Sequence, residues 1–185
     1  MIRLCSSSTT RAHLLQKAGI DFEQSAVAFD EEALCYTAPK AFVYHAALGK
    51  LNAAIQSYDL SKPLLVADTV ITAQNRLLRK AATVEEAKQT LLTISGNKTA
   101  IITYTIFYAA SIQIFDLSAT WYQFNTFDTE ALEAYLASNQ WQGKAGACMV
   151  EGFCKPYIAS VHGYESCAMG LTLESFQPYL KAMNV

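Results

Sequence analysis

Charge is scarce in this 185-residue chain, and long apolar runs are missing. Only 16% of its residues are charged, 14 Lys and Arg against 16 Asp and Glu, for a net charge of -2. That balance excludes the basic surface with which a protein holds long nucleic acid, so no such partner is expected. No apolar stretch reaches the roughly 18 residues of a membrane span, so no membrane partner is expected either. Met1-Ile2-Arg3-Leu4-Cys5 turns polar at Ser6 before the core of a signal peptide could form, which makes the cytoplasm the expected location. The five cysteines, Cys5, Cys35, Cys148, Cys154 and Cys167, are odd in number and lack a CxxC pair. This disfavours a disulfide framework and a four-thiolate zinc site, leaving reduced thiols that mostly fill core space. His13, His45 and His162 are far apart and show no HxxxH spacing, so a dedicated zinc site is not expected.

Apolar residues are plentiful, at 52%, and 185 residues suffice for one well-buried domain spanning 1–185. The stretch that organises the rest is Leu64-Leu65-Val66-Ala67-Asp68-Thr69-Val70-Ile71, a run with turn signals on both sides that reads as a buried strand. Burying an ionised carboxylate is costly unless cations or donors compensate it. Asp68 is therefore expected where the carboxyl end of the strand opens into a crevice, the place where open α/β sheets bind ligands. The alternative is an edge aspartate, or one satisfied by neighbouring amides.

Ile2 to Cys5 reads as a short strand, followed by Ser6-Ser7-Ser8-Thr9-Thr10-Arg11 and a helix carrying Leu14, Leu15 and Ala18 that Gly19 terminates. A hydroxyl-rich turn at the positive end of a helix, with Arg11 in its first turns, can bind an anion; Ser and Thr can equally serve as caps alone. Ser25 to Phe29 alternates weakly and is expected as a strand; Asp30-Glu31-Glu32 after it is either a solvated loop, as acidic runs usually are, or, coming directly off the strand, offers an acid to join Asp68 around a divalent cation. Pro39 opens a helix with Val43, Ala46, Ala47, Leu51, Ala54 and Ile55 as its apolar stripe. Lys50 lies close to that stripe, either snorkelling to solvent or pointing at a crevice.

Gln74-Asn75 marks a turn before a basic return strand, Arg76 to Lys80. Thr83-Val84-Glu85-Glu86 is a capping box for a helix with Val84, Ala87, Leu91 and Ile94 on one face. Thr99 to Tyr108 and Ile112 to Phe124 form the best hairpin signal, and their length predicts a mixed, partly antiparallel sheet. Asp128 caps a helix through Leu132, Tyr135 and Leu136, and a glycine-rich segment runs from Gly143 to Phe153. Tyr157 to Val161 reads as a strand, Gly163 to Gly170 as a loop, and Thr172 starts a terminal helix that Pro178 shortens or kinks. The fold class that results is α/β, a mixed central sheet flanked by helices.

Taken in order, Ser6-Ser7-Ser8-x-x-Arg11, Asp30-Glu31, Ala47-x-x-Lys50, Ala67-Asp68-Thr69, Leu78-x-Lys80, Ser95-Gly96, Lys144-Ala145-Gly146-Ala147, Glu151-Gly152 and Ser166-x-x-x-Gly170-Leu171 resemble the Maf family, over nearly the whole chain. That family comprises nucleoside triphosphate pyrophosphatases, also called septum formation inhibitor proteins. The resemblance implies a Maf/ITPase-like fold with a nucleotide crevice at the strand ends. It implies a hydrolase that releases a nucleoside monophosphate and pyrophosphate, works with Mg²⁺ or Mn²⁺, and forms a homodimer. A role in limiting non-canonical nucleotides, with a link to division arrest, comes with it; the rival is a non-catalytic nucleotide-binding regulator of septum formation.

Carried over by position, Asp68 matches the proton acceptor and Glu31 a metal-linked acid; by residue type, Asp68 and Glu31 together are the expected holders of the divalent cation. Arg11, Lys50 and Lys80 match phosphate-side cations, with Ser7 and Ser8 beside them. This chain departs from the pattern at Thr9 and Thr10, where the family has Pro and Arg, and at Ala81, Cys167 and Thr172, where it has Pro, Asn and Pro. One phosphate-side cation is thereby absent. The base signals are mixed, because Arg11 and Thr69 resemble a branch acting on dTTP and UTP, while Glu151 resembles one acting on 7-methyl-GTP.

Overall fold

The structure, a computed structural model, describes residues 1–74 and 76–182. It is an α/β fold with a mixed, partly antiparallel central sheet flanked by helices. Among the described residues the strands are β1 (Ile2–Leu4), β2 (Phe22–Gln24), β3 (Leu64–Ala73), β4 (Arg76–Leu78), β5 (Lys98–Tyr108), β6 (Gln113–Phe124) and β7 (Ile158–His162). The helices are α1 (Thr9–Lys17), α2 (Pro39–Ser57), α3 (Val84–Ile94), α4 (Thr129–Ala137), α5 (Glu165–Ala168) and α6 (Leu173–Ala182). Strands hydrogen-bond in the order β2-β1-β3-β5-β6-β7, with β4 also on β3. β1 runs parallel to β2 and β3, whereas β4 on β3 and β7 on β6 are antiparallel. No described helix is long and apolar enough to cross a membrane.

Contacts gather the chain into two units. The first comprises 1–69, 103–118 and 164–185. Its core is Ile2, Leu4, Leu14, Leu15, Leu65, Ala67, Phe107, Leu171, Phe176 and Leu180, with the Phe107 and Phe176 rings stacked at 6.0 Å. Truncating one of these leucines to alanine costs about 2–5 kcal/mol in such a core. Ser8 caps α1 by accepting from the Arg11 N–H at 3.3 Å. Gly19, at φ +67°, closes a Schellman end in which Gly19 N donates to Gln16 O and Ile20 N to Leu15 O.

The second unit comprises 70–102 and 119–163. Thr83 caps α3 and Asp128 caps α4, each accepting from the amide three residues on. The two helices meet with a Lys88–Glu133 ion pair at 2.6 Å. Phe124, Phe127, Tyr135, Phe153 and Tyr157 pack as an aromatic cluster. Cys148 and Cys154 lie Sγ to Sγ at 3.1 Å; all five cysteines are free, and only Cys35 is exposed.

Several expectations are corrected. Residues 25–29 are not a strand: β2 has β1 as its partner, β1 ends at Leu4 opposite Gln24, and the pairing closes with Ser25 N donating to Leu4 O at 2.9 Å. The acids at 30–32 consequently come off a loop. Asp68 is the fifth of the ten residues of β3 and does not mark its carboxyl end. Ile55 and Val84 are exposed, the latter because it lies in the first turn of α3, before the helix reaches its packed face. The reciprocal bond of the capping box goes from Ala82 N to Glu86, one residue before the cap. Within 163–170 the chain forms α5 where a loop was expected, and α6 continues past Pro178 to Ala182. Asn75 of the expected turn lies outside the described residues; its neighbour Gln74 adopts φ +49°.

Candidate active site

β3 pairs with β1 as far as Leu65 and takes up β4 at Ile71, so Asp68 and Thr69 fall between two pairings. Successive side chains of a strand point to opposite faces, and each of these two meets its own set of partners. Asp68 is 4% exposed, and its Oδ1 accepts from Lys50 Nζ at 2.5 Å. The same ammonium lies 2.5 Å from Glu31 Oε1. Lys50 therefore does not snorkel; buried to 14% exposure, it bridges two carboxylates. The other oxygen, Asp68 Oδ2, is buried without a hydrogen-bond partner among the described residues. Burial raises the Asp68 carboxyl above the usual aspartate range, and the Glu31 charge adds to it, while Lys50 and Arg11 pull the other way.

Thr69 faces Arg11. The guanidinium donates from Nε to Gly170 O at 2.6 Å, from Nη1 to Ser6 Oγ at 3.1 Å and from Nη2 to Thr69 Oγ1 at 3.2 Å. Thr69 Oγ1 is 2.9 Å from Thr103 Oγ1, which donates to Cys167 O at 2.7 Å. Gly170, at φ +95°, makes room for this: a Cβ there would sit 3.2 Å from Thr69 Oγ1 and 3.3 Å from Arg11 Nε. Arg11 thus staples the Ser6 turn, β3 and the 170 loop together, as well as placing a cation beside Asp68. Ser8 is committed as the cap of α1, and Ser7 is exposed on the same turn.

The expected residues thus separate into groups. Asp68, Glu31 and Lys50 come together through one ammonium, and Arg11, Thr69 and Ser8 through one guanidinium and its backbone amide. Lys80 and Glu151 belong to the second unit. There Lys80 forms an isolated antiparallel bridge with Ala145, and Glu151 lies 3.3 Å from Lys144. Gly146 and Ala147 adopt left-handed conformations between them, at φ +57° and +53°. Ser6, Thr103 and Gly170 are site residues that the sequence reading did not assign. Only Gly170, as a glycine before an apolar residue, carried a signal of special backbone geometry.

Among the described residues no three His, Cys, Asp or Glu side chains cluster to hold a metal. A hydrated divalent cation still fits the first unit. The orphaned Asp68 Oδ2 and the nearby Glu31 are hard oxygen donors, and Mg²⁺ is typically held by one or two carboxylates together with waters and substrate phosphates.

A buried carboxylate with one oxygen left without a hydrogen-bond partner among the described residues, near a shared lysine, an arginine and a serine-rich helix start, is an arrangement on an α/β sheet that can take a proton and handle an anion. A family model described as Maf-like protein matches residues 1–183. The chain is 53% identical over 176 residues to a nucleoside triphosphate pyrophosphatase of Nitratiruptor sp., covering 94% of this chain and 95% of that protein. It is 38% identical over 178 residues to one of Helicobacter pylori (96% and 94%), and 33% identical over 184 residues to one of Campylobacter jejuni subsp. doylei (97% and 100%). The chain belongs to the Maf-like family.

Proposed function

We propose that the protein hydrolyses nucleoside triphosphates between the α and β phosphates, releasing a nucleoside monophosphate and pyrophosphate. The observation that carries this reading is the Asp68 carboxylate, held through Oδ1 by Lys50 with Oδ2 left unpartnered. The near full-length likeness to relatives described as nucleoside triphosphate pyrophosphatases supports it.

Asp68 Oδ2 accepts a proton from water as the water oxygen attacks the α-phosphorus. The bond from that phosphorus to the bridging oxygen breaks, and pyrophosphate leaves with the electron pair. Burial strengthens Asp68 as a base relative to an exposed carboxylate, because it disfavours the charged form. Lys50 fixes the orientation of the carboxylate, and its charge, with that of Arg11, favours the approach of phosphate. The start of α1 adds the Ser7 hydroxyl, the O–H of Ser8, whose oxygen accepts as the cap, and the positive end of a helix dipole. Asp68 and Glu31 would hold Mg²⁺ or Mn²⁺. When bound, such an ion neutralises phosphate oxygens and lowers the pKa of attacking water.

For the base, the reading is dTTP and UTP. Arg11 and Thr69, which resemble the pyrimidine branch, are hydrogen-bonded to each other and act as one unit, whereas Glu151 is exposed and paired with Lys144. The test is pyrophosphate release from dTTP, UTP and 7-methyl-GTP with Mg²⁺ or Mn²⁺, by wild type and by Glu151→Gln. Preference for the pyrimidines is expected in both. A 7-methyl-GTP preference that Glu151→Gln abolishes would refute the base reading and assign discrimination to Glu151.

A further inference from the structure

Glu31 lies on a stretch without strand or α-helix, 25–38, yet its carboxylate is placed on Lys50. The stretch is anchored to α2 and its cap at four points between Tyr58 and His45. Tyr58 Oη donates to Ala26 O at 2.9 Å; the Phe29 ring lies against Gly49; Glu31 pairs with Lys50; and the Tyr36 ring stacks on His45 with centroids 4.0 Å apart and planes 3° from parallel. The second anchor is the tightest. A Cβ on Gly49 would overlap Cε2 and Cζ of the Phe29 ring, so the ring occupies the volume that any other residue would fill. Glycine is otherwise a poor choice inside a 19-residue helix, where alanine is intrinsically favoured.

We propose that Gly49 is a positioning residue: its bare backbone forms a notch that seats Phe29 and thereby holds Glu31 on Lys50, next to Asp68. The notch does not touch substrate. It acts through the loop, two residues upstream of Glu31, and so keeps Glu31 on the ammonium that also holds Asp68.

The inference rests on the hydrolase reading for its kinetic consequence, so its test includes a readout independent of turnover. Gly49→Ala is compared with Phe29→Val/Gly49→Ala, in which the overlapping ring atoms are gone, and with Glu31→Gln. Crystal structures of the nucleotide-free variants locate the Phe29 ring and the Glu31 carboxylate, pyrophosphate release is assayed in parallel, and thermal unfolding checks the fold. Gly49→Ala is expected to expel the Phe29 ring and to separate Glu31 from Lys50, and to slow turnover as Glu31→Gln does, with no loss of thermal stability, since α2 gains a better helix former. A misplacement of about 1 Å can cost about 10²-fold, and a kcat/KM loss of up to that size is expected. Phe29→Val/Gly49→Ala should recover both readouts toward wild type. A Glu31–Lys50 pair and Phe29 ring placed as in wild type in Gly49→Ala overturn the proposal, as does a displacement that removing the Phe29 ring leaves unrelieved. Absence of pyrophosphate release by wild type would refute the hydrolase reading alone, and the structures would still decide the notch.

Discussion

Replacing Lys50 by methionine should cost more stability than replacing Asp68 by asparagine, and the excess should depend on pH. Ionised Glu31, Lys50 and Asp68 together carry a net charge of -1. Asp68→Asn takes the group to zero and leaves the ammonium paired with Glu31 at 2.5 Å. Lys50→Met takes it to -2 and strips the adjacent counterion from a carboxylate that is 4% exposed. Leaving a buried charge uncompensated costs about 3–5 kcal/mol; the asparagine variant, whose lysine keeps a partner, should lose less. Burial already raises the Asp68 carboxyl, and removing Lys50 raises it further. With the folded-state value above the unfolded one, the native state holds its proton to higher pH, so stability is greatest at low pH and is lost as pH rises through the folded-state value. The deficit of Lys50→Met relative to wild type is therefore expected to be largest near neutrality and to shrink on acidification. Urea denaturation of the three proteins between about pH 5 and pH 8 reads this directly. A pH-independent deficit, or an asparagine variant less stable than the methionine one, would refute the charge accounting.

Three further outcomes are expected. Asp68→Asn should lower kcat by about 10²–10⁴-fold, the usual cost of a lost base, while near-wild-type nucleotide affinity in a binding titration shows the site intact. In metal-free and nucleotide-free wild type the Asp68 carboxyl should titrate above the ordinary aspartate range, read by carbon NMR, and Glu31→Gln should bring it down by removing a charge that raises it. Gly170→Ala forces a side chain into φ +95° against Thr69 and Arg11, and should cost about 1–3 kcal/mol in unfolding experiments.

The sequence made the buried strand and most helix starts readable because their signals are local. Asp68 interrupts an apolar run, Pro39 has the fixed φ that favours the first turn of a helix, and Thr83 and Asp128 sit three residues before the amides they cap. The reading of 25–29 failed for a non-local reason: whether alternating residues become a strand depends on a partner, and β1 runs out at Leu4. Lys50 illustrates the same limit, since helical periodicity placed it beside the apolar stripe but only the tertiary fold shows it bridging Glu31 and Asp68. Ser6 and Gly170 enter the sequence reading only as parts of motifs and Thr103 not at all; the roles of Thr103 and Gly170 come from meeting Thr69 and Arg11 across 34 and 159 positions of chain. Periodicity misjudged Ile55 and Val84, which sit close to the ends of their helices, where less of the turn is covered.

The central claim is that water attacks the α-phosphorus with Asp68 taking its proton. Hydrolysis of dTTP in ¹⁸O-labelled water with Mg²⁺, followed by mass spectrometry of both products, tests it most directly. The account predicts one ¹⁸O atom in the nucleoside monophosphate, unlabelled pyrophosphate in equal amount, and little of either product with Asp68→Asn. Label in the pyrophosphate, or release of orthophosphate in its place, would contradict it.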